Sequence, residues 1–89
     1  MSEPDPILDE LRERISANDR RLVEGVNTRL ELVRQVKQHK ESHGIDFLDP
    51  ERERKMFADL ERANRGPLSS AGLQKFFAGL LELTKNELP

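Results

Sequence analysis

The residues best suited to chemistry in this sequence are cations placed where a helix should be apolar. Between Pro6 and Ser42, the residues Leu8, Leu11, Ile15, Leu22, Val26, Val33 and Val36 recur at helical spacing. Arg29 falls among Leu22, Val26 and Val33, Lys40 lies one turn beyond Val36, and Arg12 sits at the edge of the same face. Neither Arg29 nor Lys40 has an acid three or four residues away on that seam, so burying either is costly unless an anion meets it. A single such residue is most simply read as snorkelling, its stem packed and its charge in water. Three along one stripe point instead to an anion site. Further on come a charged cluster, Asp49, Arg52 and Glu53, and two polar residues, Thr84 and Glu87, that continue the apolar line through Leu73 and Leu80. Brought together, they make a cationic, helix-walled pocket. It suits an anion with more than one carboxylate, because guanidinium groups grip carboxylates as a fork.

No nucleophile–base pair stands out. Cysteine is absent, and the two histidines, His39 and His43, lie one turn apart on the outer side of a helix end. They read as solvated residues. As an i, i+4 pair they lack a third metal ligand, so neither a metal nor a cofactor is expected.

Holding these residues calls for an all-α fold of three helices, one very long, one short and one intermediate. The first, Pro6 to about Ser42, has no internal proline and one internal glycine, Gly25. A helix of that length runs on the order of 50 Å, whereas a compact domain of this size has a radius of gyration of roughly 12 Å. It must therefore lie against something besides its own chain. Asn18 is read as a register-setting polar group on such a seam, and Gly25 as a close helix contact. Residues 1–5 read as a frayed start, with Pro6 allowed in the first turn. Gly44 can take the left-handed conformation that ends the helix. The linker Ile45-Asp46-Phe47-Leu48 is read as a loop packed over the helix ends.

The second helix opens at Asp49-Pro50-Glu51, with Asp49 as N-cap, Pro50 at the first helical position, and Glu51 and Glu53 near the positive end of the dipole. Met56, Phe57 and Leu60 form its apolar face, and it stops before Gly66-Pro67. Ser69 caps a third helix, Ser70 to about Leu88, whose buried stripe is Leu73, Phe76, Phe77, Leu80 and Leu81.

Composition agrees with helices carrying thin buried stripes, at 35% apolar and 36% charged residues. So small a chain buries proportionately little surface alone, which favours a shared core in an oligomer. A net charge of −2 with both signs interspersed excludes a basic footprint for nucleic acid. No stretch reads as a signal peptide or membrane span, and a soluble, cytoplasmic protein is expected.

The ordered set Arg12, Arg29, Lys40, Asp49, Arg52 and Glu53 sits within LDELRERISANDRRLVEGVNTRLELVRQVKQHK and the DPERE segment, with GPLS before the last helix. In these features the chain closely resembles the all-α class of chorismate mutases, small intertwined helical homodimers, from Leu8 to Glu87. The resemblance implies one chorismate mutase-like domain over residues 1–89, acting in aromatic amino-acid synthesis on chorismate, a dicarboxylate. It implies that Arg29 and Arg52 hold substrate carboxylates and that Arg12 does so from the other subunit, so the homodimer shares its active sites. Lys40 would donate to the ether oxygen of the breaking bond. Glu53, with the backbone near Asp49, would take the ring hydroxyl, and Thr84 stands where the family often has Ser, a carboxylate donor. A pathway enzyme docking on the dimer is left open.

One position departs from the pattern. The family usually has Gln or Glu one turn after the Ser/Thr as a second donor to the ether oxygen, and Leu88 stands there. Glu87 is the substitute; to donate it must carry a proton, which ties activity to pH. Its plain alternative is a solvated chain end. Asp49 and Ser69 would cap helices whatever the function, Glu53 could merely stabilise a helix N-terminus, and Arg52 could be an exposed partner for Glu51 or Asp49. Two further readings compete. An isochorismate-pyruvate lyase shares the fold and a cationic pocket, and a non-catalytic helical interaction module would place apolar residues where Arg29 and Lys40 stand.

Overall fold

The computed structural model describes residues 3–88. It consists of α1 (Pro6–Ser42), α2 (Pro50–Ala63) and α3 (Ser70–Glu87), with no strand among the described residues. The expected three helices are therefore present with their expected relative lengths.

Local chemistry explains each boundary. The Asp5 carboxylate accepts the Ile7 and Leu8 N–H groups at 3.1 Å, so Asp5 caps α1, a role the sequence reading did not assign. At the other end Gly44 takes φ +65°, and the Ile45 N–H donates to the Lys40 carbonyl at 2.8 Å while the Gly44 N–H donates to Glu41. That pair of bonds is a Schellman ending, and it needs a residue tolerant of positive φ at Gly44. Asp49 caps α2 by accepting the Arg52 N–H at 3.1 Å, with Pro50 opening the helix, and Ser69 caps α3 by accepting the Gly72 N–H at 3.0 Å. Both caps stand where the sequence placed them.

The chain forms two compact units, Met1–Val33 and Arg34–Pro89. The first is the leading part of α1. It buries nothing fully: Leu8, Leu11, Ile15 and Leu22 are all exposed, and Ile15 keeps 59% of its surface in water. A shallow, mainly apolar hollow runs beside Leu11, Ile15 and Ala17, edged by Arg14, Asn18 and Arg21. At Gly25 an added Cβ would meet open space within the chain.

The second unit holds the end of α1 with α2 and α3, and here lies the small core. Leu73 and Phe77 are buried at 5% and 7% exposure, and the Phe57 and Phe77 rings meet with centroids 5.6 Å apart, joining α2 to α3. The Ser70 hydroxyl also donates to the Glu61 carboxylate at 3.2 Å. Phe76, expected on the buried stripe, is instead exposed, because it points about 100° round the helix from Phe77, and Leu83 further along α3 is exposed too. The linker differs in part from its expected packing: Ile45, Phe47 and Leu48 stay exposed, although Phe47 lies beside the Lys37 and Lys40 amines at the end of α1. A single chain has too few apolar neighbours to cover them.

Candidate active site

Of the residues singled out by type and spacing, Arg12 and Arg29 lie in the first unit, and Lys40, Asp49, Arg52, Glu53, Thr84 and Glu87 lie in the second. Arg12 is exposed and Arg29 half-buried. A half-buried guanidinium on a stripe of Val and Leu is the pattern that made this face an anion-site candidate.

Lys40 is the best-defined of the set. It is half-buried in the last turn of α1, where its carbonyl accepts the Ile45 N–H of the Schellman ending. Its ammonium donates to the Phe47 carbonyl at 3.3 Å and stands 5.7 Å from the Phe47 ring centroid. The Lys37 ammonium approaches the same ring at 5.9 Å. These distances fall within the range where a ring face attracts a cation. The sequence reading passed over Phe47 and Lys37; an aromatic in a short linker seven residues past a lysine was the available signal.

The first turn of α2 is set by Asp49. Its carboxylate takes the Arg52 N–H and its carbonyl takes the Glu53 N–H at 3.2 Å, so the cap fixes the backbone from which both side chains start. Glu51, a structural partner proposed for Arg52, instead pairs with Arg54 across one turn. Arg52 is exposed and Glu53 half-buried. One turn of helix thus presents a guanidinium and a carboxylate side by side, a combination able to take a carboxylate and a hydroxyl.

On α3, Thr84 is 9% exposed, and its hydroxyl donates to the Leu80 carbonyl at 2.7 Å. Glu87 is exposed at the last residue of α3, where a carboxylate lies at the negative end of the helix dipole. Leu88, half-buried, caps that end through its N–H to the Thr84 carbonyl at 2.9 Å.

His39 and His43 stack with ring centroids 4.2 Å apart, and His43 Nδ1 lies 2.9 Å from both the His39 carbonyl and the Ser42 hydroxyl. Their polar contacts are local and consistent with the end of a helix. Among the described residues no three His, Cys, Asp or Glu side chains group as metal ligands. Nor is any described helix long and apolar enough to cross a membrane.

Chemically, these groups offer cations, the carboxylates of Asp49 and Glu53 at the start of α2, that of Glu87 at the end of α3, and a buried hydroxyl. Groups of these types can act by charge and hydrogen bonding, with no covalent step required. Residues 11–87 match the protein family described as chorismate mutase type II. Among solved structures, the chorismate mutase (form I) of Thermus thermophilus is similar, with a TM-score of 0.82 and 25% sequence identity. The alignment covers 86% of this chain and 96% of that one. No curated protein sequence matches the chain.

Proposed function

The chain belongs to the chorismate mutase type II family, an isomerase family, and we propose that it rearranges chorismate to prephenate in a pocket completed by a second copy of itself. The single observation that carries this reading is the family match across residues 11–87, which takes in most of α1, all of α2 and α3, and every candidate residue from Arg12 to Glu87. In this reading residues 1–89 form one domain.

The reaction is unimolecular: the ether C–O bond breaks while a C–C bond forms, and no group is added or lost. A catalyst therefore needs to hold the substrate folded in a chair-like conformer and to stabilise the negative charge that builds on the ether oxygen. Arg29 and Arg52 take the substrate carboxylates, joined by Arg12 of the second subunit. Glu53, through its half-buried carboxylate at the start of α2 and with the backbone near Asp49, receives the ring hydroxyl. Lys40 donates to the ether oxygen, with Glu87 as the candidate for the second donor position. Thr84 donates to a carboxylate once its hydroxyl turns away from Leu80.

The dimer is supported by what the single chain leaves uncovered. Leu8, Leu11, Ile15 and Leu22 are exposed along α1, and burying each such side chain contributes about 1.5–3 kcal/mol. A second α1 laid on that face would cover them and deliver Arg12 to the neighbouring pocket. The substrate and reaction fit a cytoplasmic enzyme of aromatic amino-acid synthesis, on which a pathway enzyme could dock.

The deciding experiment offers purified protein chorismate and isochorismate separately and follows prephenate and salicylate. Prephenate from chorismate is the expected product. Salicylate from isochorismate with no prephenate would reassign the chain to lyase chemistry.

A further inference from the structure

The α1–α2 connector does more than join two helices, because it grips Lys40 at both ends. The Ile45 N–H holds the Lys40 carbonyl at 2.8 Å, and the Phe47 carbonyl holds the Lys40 ammonium at 3.3 Å. The Phe47 ring lies 5.7 Å from the same ammonium. We propose that Phe47 is a positioning residue for Lys40, presenting its charged amine to the substrate through the connector; the inference rests on the assignment of Lys40 to the ether oxygen.

Three features carry it. A lysine side chain has four rotatable carbons and loses much rotamer freedom when fixed, so a catalytic lysine gains from being held before substrate arrives. The groups that hold this one, a carbonyl and an aromatic face, are uncharged. A carboxylate in their place would offset the positive charge the reaction needs, whereas a carbonyl and a ring hold the ammonium without a counter-charge. Lastly, an ammonium has three N–H donors. The Phe47 carbonyl occupies one and leaves the others for an incoming oxygen.

A purely structural role for the ring fits poorly. Phe47 is 38% exposed and lies outside the Leu73–Phe77 core, and its ring faces the amines of Lys37 and Lys40. Two residues later the chain reaches Asp49, whose cap sets the start of Arg52 and Glu53. The connector therefore sets the reach of Lys40 within the same few residues that begin α2.

The test measures kcat and KM for chorismate in Phe47→Leu, Phe47→Met and Phe47→Tyr, and in Lys40→Ala with and without Phe47→Leu. Leu and Met keep apolar bulk without a π-face, so both should lower kcat about three- to tenfold while KM stays within about twofold. Tyr keeps the ring and should retain wild-type kcat. In the Lys40→Ala background Phe47→Leu should cause no further loss, since it acts through the missing amine. Wild-type kcat in Phe47→Leu beside a crippled Lys40→Ala overturns the inference alone. So does an equal loss from Phe47→Leu in both backgrounds. Wild-type turnover by Lys40→Ala would overturn the assignment of Lys40, and this inference with it.

Discussion

Thr84 directs its hydroxyl back into its own helix, donating to the Leu80 carbonyl at 2.7 Å while its side chain is buried. That carbonyl is already the regular helical acceptor of the Thr84 N–H, so the extra bond is dispensable to α3. The hydroxyl can be redirected to a substrate carboxylate by rotation about χ1, though a β-branched residue must then swap its methyl group into the vacated place. Thr84→Val keeps the shape and removes the donor. A hydrogen bond to a charged group contributes about 1.5–3 kcal/mol, so KM for chorismate should rise about tenfold or more with little change in melting temperature. An unchanged KM would take Thr84 out of the pocket.

Lys40→Ala should reduce kcat by at least about a hundredfold, the scale seen when one preorganised donor to a developing oxyanion is removed. Circular dichroism should show the helical content unchanged, because the Lys40 side chain contributes no core packing. Turnover near wild type would remove it from the mechanism.

Subunit sharing has its own signature. Arg12→Ala and Lys40→Ala should each be nearly inactive alone. When the two are co-expressed, half of the dimers are mixed, and each mixed dimer has one pocket carrying both lesions and one carrying neither. Activity should then recover to about a quarter of wild type. No recovery would mean that both residues serve the same pocket from the same chain.

Glu87 stands beside Leu88, where the family pattern calls for a donor. A carboxylate can donate only when protonated, whereas an amide donates at any pH. Glu87→Gln should therefore raise kcat. An unchanged kcat in that variant would return Glu87 to the role of an exposed helix end.

Stability offers an independent check on α3. A Cβ added at Gly79 meets nothing within 4 Å, whereas one added at Gly72 lies 2.8 Å from Leu68 Cδ1 and 3.1 Å from the capping Ser69 hydroxyl. Gly79→Ala should gain about 1 kcal/mol in helix propensity, or about 4–8 °C in melting temperature for a domain of this size. Gly72→Ala should gain less, since its new methyl displaces Leu68 and crowds the cap. Equal gains at both sites, measured at one protein concentration, would contradict the packing at Gly72.

Much of the fold was legible in the sequence because its determinants are local. Asp49 and Ser69 were recognisable as caps from their neighbours alone, as was Gly44 as a left-handed helix end, and all three take those roles. The cations stood out because Arg29 and Lys40 break an apolar stripe without a nearby acid on it, and both are half-buried in the structure. The family likewise followed from ordered residues, and the match over residues 11–87 agrees.

What the sequence could not determine were contacts between separate backbone segments and the choice of one partner among several within a helix. Helical periodicity shows which face carries Lys40, but it does not reveal that the connector turns back to set the Phe47 carbonyl and ring against that amine. Nor could it show that Glu51 would pair with Arg54 rather than Arg52, or that the Thr84 hydroxyl would bond to Leu80. Periodicity and capping act through neighbours a turn apart, so they are written in the order of residues. Rotamer choice among competing partners depends on the three-dimensional course of the chain, which only the folded structure supplies.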